Sequence, residues 1–365
     1  MRTRNWTAIL ALLSVTLLSL FADVRAQQAP PVSPPPPAKS GFQEKPTITT
    51  RVELVDVVFS VLNRRRKFIT DLQKENFKVF EDNKPQDIRF FSRETDLPLR
   101  VGLLLDTSNS IRDRIKFEQE AAIDFLYNVV RRHKDLAFLM TFDNEPEIVQ
   151  DYTEDLGQLR DAILKQRAGG GTALYDAIYT ACQRFLANPP MPAEPNPPVR
   201  RVLVVISDGD DNLSSHSRSE ALEMAQRAGV VIYAISTSTQ WVTASEERDP
   251  VKRTERKYHK DEGDKVLDHI TEETGGRAFF PYRVDDLAQS FLDIGDELRS
   301  QYSLAYTPAK KTADGKFRSI HIEVDRKGLQ VRARRGYYPL RASAGVSSPA
   351  DAPASRPASK PPGQR

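Results

Sequence analysis

The stretch "LRVGLLLDTSNSIRDR", Leu99 to Arg114, decides the reading of this sequence. A continuous apolar run carries the chain straight into Asp106. Two hydroxyls then follow at alternate positions, Ser108 and Ser110. An uninterrupted apolar strand is what a parallel sheet covered on both faces requires. A buried strand has no use for an acid, and a helix start needs only one capping oxygen. The run recurs as "LAFLMTF", "RVLVVIS" and "VVIYAIS", alternating with helical patterns over Ile115–Val130, Asp155–Gln166, Leu174–Leu186, Arg218–Ala228 and Asp264–Glu273. This alternation predicts an α/β fold with a doubly wound, mostly parallel sheet spanning residues 97–298.

Outside that zone the period changes to that of strands. Residues 47–96 read as a small β unit: "TRVELVDVVFSVLN", then two strands marked by Phe77, Val79 and Phe90–Phe91, with "EDNKP" as a turn. Residues 299–341 read as three short antiparallel strands. The two groups are expected to pack together as one flanking β unit formed from the N- and C-terminal segments. The basic run "NRRRKF", Asn63 to Phe68, reads as a solvated hairpin turn.

The ends of the 365-residue chain carry no core pattern. Arg2 and Arg4, the apolar run "TAILALLSVTLLSLFA" and the small residues of "VRA" form a secretory signal pattern over residues 1–26. The length of the run also allows an uncleaved anchor. Residues 27–46 are a proline-rich linker and residues 342–365 a disordered tail. Two surface excursions are expected, Asn188–Pro198 and the charged Ser236–Gly263. The export signal places the protein in the periplasm or outside the cell.

Composition removes several function classes. Lys and Arg number 53 against 50 Asp and Glu, so charge is nearly balanced and nucleic-acid binding is not indicated. The single cysteine, Cys182, allows no internal disulfide and no cysteine metal cluster, and reads as a core residue.

Ligands bind open parallel sheets at the carboxyl ends of the strands. Asp106, Ser108 and Ser110 lie at such an end. "RAGGGTALYDA" places Thr172 before a helix, and "VLVVISDGDDN" places Asp208 after another strand. Together they offer only hard oxygen donors. That set suits Mg²⁺ or Mn²⁺ and not Zn²⁺, since no His or Cys joins it. The glycines before Thr172 are expected to let backbone approach an ion closely. Each position also has a plain reading. Ser108 or Ser110 caps a helix, Asp208–Gly209 is a turn, or Thr172 is an N-cap after a flexible loop. Asp210, Asp211 and Asn212 read as a solvated acidic loop. Asp143 is a weak candidate ligand, Asp176 a support for the helix or loop, and His216 a surface or cap residue.

Five residues in this order resemble the von Willebrand factor type A domain and its metal-ion-dependent adhesion site: Asp106, Ser108 and Ser110 in Asp-x-Ser-x-Ser, then Thr172, then Asp208. The flanking "FKVFEDNKPQ" and "RRGYY" resemble those of bacterial, often acidobacterial, exported proteins related to that family. The resemblance implies direct metal bonds from Ser108 and Ser110. It implies a direct or water-mediated bond from Thr172, and water-mediated ones from Asp106 and Asp208. It also implies that the ion captures an Asp or Glu of a partner protein, so that the chain is a binding module with Mg²⁺ or Mn²⁺ as cofactor. Two alternatives remain: a Mg²⁺-dependent hydrolase, and a structural envelope protein whose metal only orders loops. Catalysis is the weaker reading. A haloacid-dehalogenase-type phosphatase needs an acid where Ser108 stands. None of the histidines falls in the three loops. "GGGT" lacks the lysine of a phosphate-binding loop.

Overall fold

Asp82 and Asn83 both take left-handed backbone angles, with φ of 48° and 62°. They turn β2 (Phe77–Glu81) directly into β3 (Lys84–Gln86), after the longer β1 (Val55–Asn63) and before β4 (Ile88–Ser92). The structure is a computed structural model and describes residues 54–93, 97–191, 199–238, 260–281, 284–309 and 314–339. The predicted signal segment, linker and tail lie outside the described residues, as do most of the two predicted excursions. The "EDNKP" turn is thus tighter than its sequence suggests: two residues turn the chain, and Pro85 enters an edge strand, where no ladder N–H is needed.

The α/β domain follows. Its strands are β5 (Leu99–Asp106), β6 (Leu136–Phe142), β7 (Pro146–Thr153), β8 (Arg200–Ser207), β9 (Val231–Ser236) and β10 (Ala278–Phe279). They form one sheet in the order β10-β9-β8-β5-β6-β7, parallel except for β7 against β6. The helices are α1 (Ile115–Val129), α2 (Leu156–Leu164), α3 (Leu174–Thr180, continued by a π-helical turn Ala181–Leu186), α4 (Arg218–Ala228), α5 (Glu262–Thr274) and α6 (Val284–Leu298). All eight residues of β5 are buried. Leu103 and Leu105 face a core shared with α1, α2 and α6, while Leu104 faces α3, α4 and α5. Gly102 is small for a reason, because a Cβ there would stand 2.5 Å from the Phe138 ring. Cys182 is buried and free.

The chain then adds β11 (Tyr302–Tyr306), β12 (Arg318–Val324), β13 (Leu329–Ala333) and β14 (Gly336–Tyr337). These interleave with the first four strands into two antiparallel sheets, ordered β13-β1-β11-β4 and β14-β12-β2-β3. Both contribute to one core, where Phe59 and Phe91 stack on Tyr302 and Phe77 packs edge-on to Phe59. Three strands are expected on each side of the α/β domain, and four are found on each.

Three α/β elements have no counterpart in the predicted set: β7, β10 and α6. β7 is a half-exposed edge strand without an apolar run. β10 has only two residues. α3 gives way to the π turn short of the predicted Leu186. No helix among the described residues is long and apolar enough to cross a membrane.

Candidate metal centre

β5 lies at the point where strand order reverses, with β6 on one side and β8 on the other. This is the crevice where doubly wound sheets bind ligands. Asp106 ends β5 and is fully enclosed. Its Oδ1 accepts from the Ser108 backbone N–H at 2.8 Å, and its Oδ2 accepts from Ser207 Oγ at 2.7 Å. The second bond staples the first loop to the end of β8.

The two serine hydroxyls stand 2.9 Å apart, and Ser110 Oγ donates to Asp208 Oδ2 at 2.7 Å. Ser108 sits at the N-cap of a single 3₁₀ turn, Asn109–Ile111, yet its side chain makes no capping bond. Nor does Ser110 cap α1, whose N-cap is Arg114. α3 is preceded by Ala173, so Thr172 is not its N-cap. The capping readings therefore do not describe these side chains.

Thr172 is brought to the same place by its backbone. Its N–H donates to Asn212 Oδ1 at 2.9 Å, and its carbonyl accepts from the N–H groups of Asn212 and Leu213 at 3.0 and 3.1 Å. Gly169 N–H donates to the Thr107 carbonyl at 2.7 Å, and Asn109 N–H to the Gly170 carbonyl at 3.2 Å. All three loops are thus hydrogen-bonded into one rim. Gly171 packs against the third loop, where an added Cβ would meet Leu213 at 2.4 Å. Gly209 takes φ +83°, and a Cβ on it would stand 2.3 Å from the Gly263 carbonyl oxygen.

The neighbours hold the rim. Asp211 and Asn212 are engaged by the rim rather than left to solvent. Asp211 Oδ1 accepts from Ser214 Oγ at 2.6 Å and from Tyr175 N–H at 3.3 Å, while Asn212 grips Thr172. Asp210 is exposed, and its N–H donates to Asp208 Oδ1 at 3.2 Å. Asp176 supports the third loop by accepting from the N–H groups of Ser215 and His216 at 2.8 Å. The His216 ring is fixed by Asp176 at 2.6 Å and stacked on Tyr179. Asp143 accepts from the Asn144 N–H, and Asn144 Oδ1 in turn accepts from Gly171 N–H at 2.9 Å.

Two residues of the centre are absent from the sequence reading. Ser207 holds both Asp106 and, at 3.1 Å, the Gly209 N–H. Glu118 on α1 is fully enclosed, and neither of its carboxylate oxygens has a hydrogen-bond partner. Burial pushes its carboxyl up to about 8, reinforced by the carboxylates of Asp106 and Asp208 and opposed by Arg114. Burial likewise pushes Asp106 up to about 6 against the bonds from Ser207 and Ser108. The Glu118 signal is legible in retrospect. It occupies the apolar stripe it shares with Ala122, Phe125 and Val129, where an acid has no packing role.

Asp208 thus raises both enclosed carboxyls, and Asp106 raises that of Glu118, a concentration of negative charge that a cation would relieve. Among the described residues no group of three or more His, Cys, Asp and Glu side chains forms a metal cluster. The rim instead offers three neutral hydroxyls, of Ser108, Ser110 and Thr172, with only two carboxylates, of Asp106 and Asp208, a set of hard oxygen donors that suits a divalent cation.

Comparison with known families gives a match to the von Willebrand factor type A domain over residues 101–210, a span that contains all five predicted site residues. The match covers less than a third of the chain. No curated protein matches the chain. Among solved structures, an aerotolerance-related membrane protein from Bacteroides fragilis is similar at 19% identity, over 55% of this chain and 98% of its own, with a TM-score of 0.40. A von Willebrand factor type A protein from Catenulispora acidiphila is similar at 10% identity over 80% and 74%, with a TM-score of 0.42. Proximal thread matrix protein 1 of the mussel byssus, described with a zinc-occupied MIDAS motif, is similar at 17% identity over 60% and 50%, with a TM-score of 0.42. Likenesses at these scores carry no argument about function.

Proposed function

We propose, from the match of residues 101–210 to the von Willebrand factor type A domain and from the rim described above, that the chain is an exported protein-binding module that uses Mg²⁺ or Mn²⁺ to capture an acidic side chain of a partner. Ser108, Ser110 and Thr172 hold the ion with neutral hydroxyls, and Asp106 and Asp208 supply the carboxylates. Few charged donors leave the ion much of its charge, and that charge attracts a partner's Asp or Glu. The carrying observation is the chain of contacts from Ser108 through Ser110 to Asp208, with Asp106 held rigid beside it by Ser207. These bonds hold oxygens of Ser108, Ser110, Asp106 and Asp208 in one network, which supports a preorganised site.

Binding is favoured over catalysis by what surrounds the hydroxyls. A serine nucleophile needs a base within hydrogen-bond reach. The histidine nearest the site in sequence, His216, is committed to Asp176, which leaves Asp208, already accepting from the Asp210 N–H, as the acceptor of the Ser110 hydroxyl. The signal pattern of residues 1–26 supports the exported location.

The test is calorimetric titration of Mg²⁺ and Mn²⁺ into the chain, compared with a Ser108→Ala/Ser110→Ala double variant. The reading requires saturable binding in the wild type and its loss in the variant. Retention of an acidic peptide that disappears with chelator supports the partner chemistry. Binding that survives the double substitution overturns the assignment.

A further inference from the structure

At the opposite end of β8 from Asp208 lies a cavity of about 480 Å³ between the α/β sheet and β1. Its lining carries Arg200, Arg201, Arg227 and Arg334 and a single acid, Asp56. Two of these arginines already have side-chain partners. Arg227 pairs with Glu223 at 2.6 Å, and Arg200 donates to the Leu298 carbonyl at 2.6 Å and to Gln301 Oε1 at 3.2 Å. Asp56 accepts from Ser303 Oγ at 2.7 Å.

Arg201 and Arg334 differ. Among the described residues neither has a carboxylate partner. Each spends one terminal nitrogen on a backbone carbonyl: Arg201 on Ala228 at 2.7 Å, Arg334 on Asp56 at 2.6 Å. The remaining terminal nitrogens, Nη2 of Arg201 and Nη1 of Arg334, are left for a ligand. Burial lowers the pKa of both guanidinium groups, and no neighbouring carboxylate cancels that cost for Arg201. A half-buried guanidinium fork without a counter-ion is complementary to a carboxylate or phosphate. The rest of the lining is mostly apolar or aromatic, including Val58, Val230 and the Tyr338 ring, with Gln226, Thr274 and Gln301 as its other polar side chains. A concave, largely apolar pocket with a few convergent polar groups, of this volume, is the form of a small-molecule site.

The geometry points to a second binding site in this cavity, taking a small organic anion whose carboxylate or phosphate head lies between Arg201 and Arg334 and whose apolar body lies against the valines and Tyr338. The site is independent of the metal centre.

The experiment is calorimetric titration of the chain with phenyl phosphate and benzoate, which distinguish the two head groups. Inorganic phosphate and benzyl alcohol report head and body alone. Saturable one-to-one binding of phenyl phosphate or benzoate is expected, at least tenfold tighter than either control. Arg201→Gln and Arg334→Gln should each weaken it tenfold or more while leaving Mg²⁺ binding unchanged. Met191→Glu, at an exposed lining position, keeps the core intact and should weaken binding by charge repulsion. Thermal unfolding confirms which variants are folded. No saturable binding of either anion, benzyl alcohol binding as tightly, or unchanged affinity in every folded variant overturns the proposal.

Discussion

Ser110 Oγ donates to Asp208 Oδ2 at 2.7 Å, joining residues 98 positions apart in sequence. The bond ties the loop after β5 to the loop after β8, and it forms only because those strands are adjacent and parallel. Beside it, Ser108 Oγ stands 2.9 Å from Ser110 Oγ and Ser207 holds Asp106. This arrangement makes the consequences of single substitutions specific.

Ser207→Ala removes the hydroxyl that holds Asp106 Oδ2 and the Gly209 N–H. Two enclosed groups then lose a partner, which costs about 1–3 kcal/mol. Denaturant unfolding should show that loss. Calorimetry should show divalent-ion affinity reduced about 10–100-fold, as for groups that orient metal ligands. Unchanged affinity would mean that Asp106 is not oriented through Ser207.

Gly209→Ala should be far more damaging than Gly171→Ala. At Gly209 the new methyl meets a backbone carbonyl 2.3 Å away, and the φ is +83°. At Gly171 it meets the movable end of Leu213 and, at 2.9 Å, the Asn212 Oδ1 that accepts from the Thr172 N–H. A loss of about 2 kcal/mol or more is expected for the first. For the second, where only side chains must give, the thermal midpoint should fall less. Equal midpoints would contradict the described loop packing.

Glu118 gives the metal-free chain a pH dependence of definite sign. Its folded carboxyl is raised from the ordinary 4.5 to about 8, so the folded state holds the proton that the unfolded state releases. Stability in chelator is therefore full below about pH 4.5 on this group's account and falls as pH rises toward 8. The drop is on the order of a few kcal/mol, at about 1.4 kcal/mol per unit. Glu118→Gln should flatten that slope in thermal melts between these pH values and raise the midpoint at pH 8. Saturating Mg²⁺ should oppose the wild-type decline. A wild-type slope of opposite sign in chelator would refute the account of Glu118.

Glu297 anchors α6 to the flanking strands. It is fully enclosed, accepts from Ser60 Oγ at 3.1 Å, and pairs with Arg332 at 2.7 and 2.8 Å. Glu297→Ala leaves Arg332 unpaired and should cost about 3–5 kcal/mol. Chemical denaturation measures it. A cost under 1 kcal/mol would show that the contact is not part of the stable fold.

The parallel sheet was legible because its strands are continuous apolar runs; β5 and β6 run over the residues their patterns predict. β7 was not, because an edge strand needs no buried face. The π turn after Thr180 lies inside a pattern that looks helical throughout, and periodicity does not separate the two. Around the metal centre, sequence brought forward side chains with metal chemistry. It missed Ser207, whose role depends on a neighbour 101 residues away, and Glu118, whose role depends on which face of α1 is buried. The roles of Asp211 and Asn212 were hidden for the same reason: an acidic turn reads as solvated until its backbone partners are known.

The central claim is that a divalent cation sits among Ser108, Ser110, Thr172, Asp106 and Asp208. Crystals of the chain grown with saturating Mn²⁺, measured at the manganese absorption edge, test it most directly. The account predicts one strong anomalous peak bonded to the Ser108 and Ser110 hydroxyls and surrounded by the other three residues. A peak elsewhere with none at these hydroxyls, or no peak at all, would contradict it.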